Sequence, residues 1–300
     1  MTSHITTHSY LRTAIWPAVQ TLLELLKIRV AVLLTFVAVA TAFVAAGGVP
    51  ALDILAWLTL AGLLGAGGSA TLNHYFDRDI DALMPRTRNR PIPSGRVAPG
   101  AALALGLSLT FLSLPVALVV NPLLALFVAL GALFYIPIYT LILKRTTWLN
   151  IVIGGAAGGF ASLSGWAAVQ GQLTPTAWLI AAILFFWTPP HFWAFALVHT
   201  EAYRKANVPM LPVVFGRAPT VRWICWHVLL LAALSAGLGW AGALGPIYGL
   251  AALAGNARLL KAGWRLWRAP SNEQAWRMYK TSCLYLGYLC LGMVVDTLLW

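Results

Sequence analysis

The chain has 300 residues, of which 60% are hydrophobic and only 9% charged, with a mean hydropathy of +0.79; these values lie outside the range of soluble globular domains. The formal net charge of +12 does not point to nucleic acid, because the basic residues stand at the ends of apolar runs, where they anchor and orient membrane helices. Cys225, Cys283 and Cys290 fall in apolar segments without metal-ligand spacing and imply no disulfide framework.

Residues 1–27 lack the charged start, apolar core and cleavage site of a signal peptide, and read as a cytoplasmic leader whose interfacial segment, Ile15 to Lys27, leads into the membrane. Residues 28–300 read as a single transmembrane domain. Charge-free runs such as Val30 to Leu52 and Ile54 to Phe76 suffice to cross about 30 Å of hydrocarbon as helices. The alternation of a membrane barrel is absent from the sequence. Helix-breaking and polar punctuation then divides the chain into nine spans. These are Ile28 to Ala46, Ile54 to Phe76, Gly100 to Val120, Leu123 to Leu143 and Asn150 to Val169, followed by Thr176 to His199, Arg222 to Leu244, Ile247 to Leu266 and Thr281 to Leu299.

The expected fold is therefore all-α, a polytopic bundle of nine membrane helices around a central cavity. Alternate connectors contain no Lys or Arg, and all 20 basic residues lie in the leader or in the other connectors and their flanks. That asymmetry places the N-terminus and the charged loops in the cytoplasm and the C-terminus outside. The eighth span carries Arg258, Lys261 and Arg265 in its second half, which snorkelling would accommodate. A half-length helix followed by an interfacial one is the rival reading.

Between the second and third spans, Ser69 to Arg96 gathers three of the eight acidic residues and five of the 20 basic ones. Such charge beside hydrocarbon-length segments marks a site more readily than a spacer. Asn73, Asp77 and Asp81 recur every four residues at a helix end, which sets their oxygens in one slanted row. One amide and two carboxylates suit a hard cation such as Mg²⁺, which takes few protein ligands when a phosphate completes its shell. Arg86 and Arg90 suit bidentate recognition of a diphosphate. Asp79 points to another face, as a partner for Arg78 or Arg86. The bland alternative is a solvated, self-neutralising loop.

NHYFDRDID followed by RTRNRPIPSG resembles the NxxxDxxxD signature and its Arg-Pro sequel in the UbiA superfamily of intramembrane prenyltransferases. LKRTTWLNIVIGGAAGG (Leu143 to Gly159), FWTPPHFWAFAL (Phe186 to Leu197) and YRKANVPMLPVV (Tyr203 to Val214) are similar to segments of its heme-prenylating branch, in the same order. The resemblance runs from about Lys27 to Tyr288 and shows departures. A Lys-Pro-Arg start to the first helix is here Lys27, Ile28 and Arg29; a Pro-Pro is Ala161 and Ser162; a Gly before VPM is Asn207. The superfamily's second DxxxD motif is reduced to Glu201 with Lys205.

The resemblance implies Mg²⁺ as cofactor, with farnesyl diphosphate and heme B as substrates. Glu201 would complete the magnesium shell, and Lys144 and Lys205 would meet the diphosphate, Lys144 and Arg145 being equally explained as a helix-end anchor. His191 sits in an apolar span after Pro189 and Pro190, which break helical hydrogen bonding locally. As an intramembrane ionisable residue it is a functional candidate, for heme iron or a propionate, beside the alternative of a histidine satisfied by a freed carbonyl. His199 or His74 would serve in its place. Trp187 and Trp193 complete the expected acceptor pocket, while Trp16, Trp148 and Trp300 read as interfacial anchors. Gly154, Gly155, Gly158 and Gly159 read as close helix packing.

The expected reaction is transfer of a farnesyl group to a heme B vinyl group with addition of water, giving heme O. It would occur in a bacterial inner membrane, with a downstream heme-modifying enzyme or oxidase assembly factor as a further partner. The rivals are a quinone-ring or chlorophyllide prenyltransferase, disfavoured by TPPHFW and the reduced second motif; a membrane transporter, disfavoured by the lack of an internal repeat; and a heme-binding assembly factor that needs no acidic row.

Overall fold

A computed structural model describes residues 16–240 and 244–299. The first part of the leader and Trp300 lie outside the described residues, as does part of the expected end of the seventh span. Among the described residues the chain is all-α, without a strand. Nine long helices follow one another: α1 Ile28–Ala46, α2 Leu52–Phe76, α3 Pro99–Leu118, α4 Pro122–Thr146 and α5 Asn150–Gln170 come first. α6 Pro175–Val198, α7 Arg217–Trp240, α8 Pro246–Arg268 and α9 Asn272–Leu299 complete them.

Local chemistry sets most of these boundaries. α3, α4, α6 and α8 each begin at a proline, whose missing N–H costs nothing in a first turn. Asn121 and Thr174 cap α4 and α6 by accepting from the amides of Leu124 and Ala177. α1 and α5 end at left-handed Gly47 and Gly171. Asn207, with φ of 54°, holds a left-handed conformation at the position where the sequence departs from glycine, and Asn tolerates that region better than most residues.

Eight of the nine helices are long and apolar enough to cross a membrane, one fewer than the nine spans expected. The ninth is α8, where Arg258, Lys261, Arg265 and Arg268 recur at helical spacing and leave Ala252, Gly255, Leu259, Gly263 and Leu266 as the buried face. It is one unbroken helix, which removes the half-length reading. Two starts also need correction. α7 begins five residues before Arg222 and α9 nine residues before Thr281. Glu273, Arg277 and Lys280 looked like loop residues, yet Glu273 pairs with Arg277 one helical turn away, and a charged turn is still a turn of helix.

Each helix packs against the next in sequence, and α9 returns to pack on α1, closing the bundle; α1 also meets α5, and α6 meets α9. The α1–α5 crossing is backbone against backbone: a Cβ on Gly165 would lie 1.8 Å from the carbonyl oxygen of Ala38. Small residues also serve the α5–α6 contact as expected, where Gly155 and Gly159 face the carbonyl oxygens of Phe185 and Ala181. α6 remains helical through Pro189 and Pro190. In α4, by contrast, the residues around Pro137 widen into a π-helical segment, Phe134–Leu143.

Candidate active site

α2 ends at Asp77, whose φ of −90° and ψ of 3° turn the chain into a short helix, Arg78–Leu83. The turn keeps the four-residue hydrogen bonding, from Asp77 N to Asn73 O at 2.9 Å and from Asp81 N to Asp77 O at 2.7 Å. Asn73, Asp77 and Asp81 therefore stay in register, and all three are buried. Asn73 Nδ2 donates to Asp77 Oδ2 at 2.7 Å and to Thr140 Oγ1 at 3.0 Å. Thr140 comes from the π-helical segment, so the widened turn of α4 supplies one wall of the row.

Buried carboxylates need partners, and the row has cations along its length. Lys27 Nζ donates to Asn73 Oδ1 at 2.5 Å and to Tyr135 Oη at 3.3 Å. Lys144 Nζ meets Asp77 Oδ2 at 2.5 Å, and Arg90 Nη1 meets the two Asp81 oxygens at 2.9 and 2.7 Å. Arg145 chelates Asp79 at 2.7 and 2.8 Å and reaches the Phe76 carbonyl oxygen at 2.8 Å. Arg145 is thus the partner of Asp79, in place of the expected Arg78 or Arg86. Arg78 lies over the Tyr75 ring and donates to its own turn. The hydrogen bond from Arg145 holds the Asp79 carboxyl down at about 2. Burial, with Arg90 nearby, pushes the Lys27 ammonium down to about 7.

Asp77, Asp79 and Asp81 bring three negative charges against the four positive ones of Lys27, Arg90, Lys144 and Arg145. Lys27, held down at about 7, carries only part of its charge near neutral pH, so the cluster lies between neutral and one positive charge, and an arriving anion favours the protonated ammonium. A divalent cation also fits. Asp77 Oδ1 is buried without a hydrogen bond, with an Arg145 guanidinium nitrogen 4.0 Å away. With Asp81 and the Asn73 amide oxygen it gives a hard, all-oxygen donor set of the kind Mg²⁺ takes.

The remaining expected residues are placed as follows. Arg86 is exposed, without an ion pair among the described residues; its guanidinium lies 5.0 Å over the Phe195 ring and beside His199 and Tyr203. Glu201 is exposed and paired with Arg204, and Lys205 is exposed in the same short helix, Thr200–Lys205. Neither makes a hydrogen bond or ion pair to the acidic row among the described residues.

Trp187, His191, Phe195 and His199 recur every four residues along one face of α6. The Trp187 and His191 rings stack with centroids 4.4 Å apart, and Phe195 and His199 meet at 4.4 Å. The early turns of α9 line the same face: Tyr279 lies 4.6 Å from the His191 ring and 5.2 Å from Phe195, and Trp276 stacks on Tyr279 at 5.0 Å. Trp193 is not on this face. Two residues past His191, and so about 200° around the helix, it is buried with its ring edge-on to His227 at 5.1 Å. Arg86 bridges the two regions, since it belongs to the charged loop and covers Phe195 of the aromatic face.

Sequence reasoning missed Lys27, Tyr135 and Thr140 as site residues, along with the whole contribution of α9. A left-handed Lys27, with φ of 43°, breaks the turn before α1 and sends its side chain across to Asn73. Its position among helix-end cations looked like ordinary anchoring. The aromatic residues of α9 carried a signal, because Trp276 and Tyr279, in a segment read as a connector, continue the helical spacing of the ninth span through Cys283.

The family model described as the UbiA prenyltransferase family matches residues 32–286. The protoheme IX farnesyltransferase of Symbiobacterium thermophilum is 45% identical over 280 residues, covering 91% of this chain and 92% of that protein. That of Nostoc sp. is 43% identical over 284 residues, covering 93% and 89%. The protoheme IX farnesyltransferase of Roseiflexus sp. (strain RS-1) is 45% identical over 275 residues, covering 91% of this chain and 52% of that protein, so the chain spans about half its length. Among solved structures, one described as a digeranylgeranylglyceryl phosphate synthase superposes with a TM-score of 0.78 over 93% of this chain and 98% of that one, at 18% identity. A UbiA homolog from Archaeoglobus fulgidus bound to GPP and Mg²⁺ superposes with a TM-score of 0.65 over 92% and 99%, at 17% identity. At those identities the structures speak for the fold, while the family match from residue 32 to residue 286 and the identities above 40% speak for descent. This chain belongs to the UbiA prenyltransferase family.

Proposed function

We propose that this chain transfers the farnesyl group of farnesyl diphosphate to a vinyl group of heme B, with addition of water, releasing diphosphate and heme O for heme-copper oxidase biogenesis. The observation that carries the reading is the buried row of Asn73, Asp77 and Asp81 lined by Arg90 and Lys144, with Lys27 on the Asn73 amide. The names of the relatives supply the acceptor class. The row offers oxygens to a divalent cation, while Arg90 and Lys144 are poised to turn from the carboxylates, and Lys27 from the Asn73 amide, to an arriving diphosphate. Arg86 and Lys205 lie at the exposed rim as further phosphate contacts. When bound, Mg²⁺ would offset the charge that collects on the leaving diphosphate.

As the carbon–oxygen bond opens, the allylic carbon becomes electrophilic and the vinyl group attacks it. Water then adds to the porphyrin-stabilised carbon and loses a proton. The side chains here bind and orient the two substrates, and Trp187, Tyr279 and Phe195 offer flat apolar surface to a porphyrin. The cationic loops would face the cytoplasm of an inner membrane, from which the product passes to a downstream heme-modifying enzyme or oxidase assembly factor.

Membranes carrying the protein, incubated anaerobically with heme B, farnesyl diphosphate and Mg²⁺, should yield heme O by mass. Asp77→Ala should lower the yield at least about a hundredfold, the scale for losing a key charge-stabilising group. Prenylation of a quinone ring or chlorophyllide in place of heme would overturn the acceptor, and an undiminished yield from Asp77→Ala would overturn the metal site.

A further inference from the structure

The last helix places one side chain where it decides how His191 presents itself. Ser282 Oγ donates its only hydrogen to the Tyr279 carbonyl oxygen, 2.7 Å away in the preceding turn. The same oxygen lies 2.8 Å from His191 Nδ1, and both residues are buried. A hydroxyl that has spent its proton can only accept from a second neighbour. The hydrogen in the contact with His191 must then sit on Nδ1. In a neutral imidazole that leaves Nε2 unprotonated, with its lone pair directed away from Ser282. Cys283 Sγ, 4.0 Å from the same Nδ1, is too distant to compete.

The ring is also held in plane. Trp187 stacks on it with an interplanar angle of 23°, and the Trp187 indole N–H is fastened to the Ser282 carbonyl oxygen at 2.8 Å. Tyr279 covers the ring at 4.6 Å, and Phe192 meets it edge-on at 5.1 Å. Ser282 thus anchors two partners at once, the tryptophan through its backbone and the histidine through its hydroxyl. No hydrogen bond to Nε2 is formed among the described residues.

We infer that Ser282 is a positioning residue that fixes His191 as the Nδ1–H tautomer and so presents the Nε2 lone pair as an axial ligand to the iron of the porphyrin acceptor. The inference rests on the heme reading of the site. Iron ligation asks for a neutral imidazole whose other nitrogen donates to a fixed acceptor, and such a partner orients the ring and raises its basicity. Here the acceptor is a serine already committed to its own helix, so the tautomer is set before the acceptor arrives.

Two measurements test this on the full-length protein in detergent. The nitrogen-15 chemical shifts of His191, assigned by their loss in His191→Ala, should show Nδ1 protonated and Nε2 bare; the opposite tautomer would overturn the inference without any variant of Ser282. Titration with ferric protoheme should give a histidine-ligated absorption spectrum. Ser282→Ala should weaken protoheme binding about tenfold or more and shift that spectrum, and Ser282→Thr, which keeps the hydroxyl, should restore both. Unchanged farnesyl diphosphate binding in Ser282→Ala serves as the control for folding. A wild-type affinity and spectrum in Ser282→Ala, with loss of the spectrum in His191→Ala, would overturn the role of Ser282 alone. A spectrum indifferent to His191→Ala would overturn the heme-ligand reading beneath it.

Discussion

Lys144 Nζ lies 2.5 Å from Asp77 Oδ2, pairing an ammonium of 13% side-chain exposure with a carboxylate that has none. The pair joins the end of α4 to the end of α2 across 67 positions of sequence. It also sets Lys144 in competition with any metal that would take the same oxygen. Removing one partner of such a pair leaves a buried charge uncompensated. Lys144→Met should lower unfolding stability in detergent by about 3 kcal/mol, and part of that loss should return on adding Mg²⁺ alone, which stabilises by binding the folded form. Wild-type protein, with the ammonium in place, should show a smaller Mg²⁺ effect in the absence of diphosphate. Equal thermal shifts with Mg²⁺ in the two proteins would rule out the competition.

The environment of His199 predicts a pH effect. Burial first, and the nearby Arg86 guanidinium second, lower its pKa. The unfolded chain takes up this proton near the ordinary value of about 6.5, while the folded chain resists it. Stability from this group is therefore complete above about 6.5 and declines as the pH falls below that. Arg86→Gln should move the folded pKa upward and flatten the decline, read as the difference in unfolding midpoint between pH 7.5 and pH 5. A decline as steep as in the wild type would show that Arg86 does not act on His199.

At the end of the bundle away from the charged loops, the Asp296 carboxylate of α9 accepts from the backbone amides of Gly245, Ile247 and Tyr248 at 2.5, 3.0 and 3.0 Å. It caps α8 from outside that helix, with its negative charge at the positive end of the dipole. Asp296→Ala should cost about 2 kcal/mol, the upper range for a helix cap, and leave the KM for farnesyl diphosphate unchanged. A shift in that KM would mean that the two ends of the bundle are coupled.

Gly165→Ala places a methyl group 1.8 Å from the Ala38 carbonyl oxygen, so backbone must move. The expected loss is about 1–3 kcal/mol, as for other overpacked contacts, seen as a lower unfolding midpoint in detergent. Gly237→Ala, where nothing lies within 4 Å, is the matched control in another helix.

Much of this architecture could be read from residue order. α1 spans Ile28–Ala46, the expected range at both ends, because a charge before it and paired glycines after it leave no alternative. The four-residue spacing of Asn73, Asp77 and Asp81 survived a change of helix because the hydrogen bonding carried across the turn. What escaped was non-local or depended on helical phase. Lys27 meets partners 46 and 108 positions away, separations that no local pattern encodes. Trp193 was grouped with His191 by adjacency, although the four-residue period selects Phe195. The π-helical stretch of α4 adds a residue per turn that apolarity does not reveal.

The return of α9 to α1 has a consequence in time. Lys27, Asn73, Asp77, Asp81, Arg90 and Lys144 all belong to the first half of the chain, and their mutual contacts need nothing beyond Lys144. The setting of His191 waits for Ser282. A ribosome feeding helices one by one into the bilayer therefore delivers the anion-binding cluster early and the imidazole's clamp almost last. A nascent chain would complete the proposed diphosphate site well before it could fix the ring proposed to meet a porphyrin.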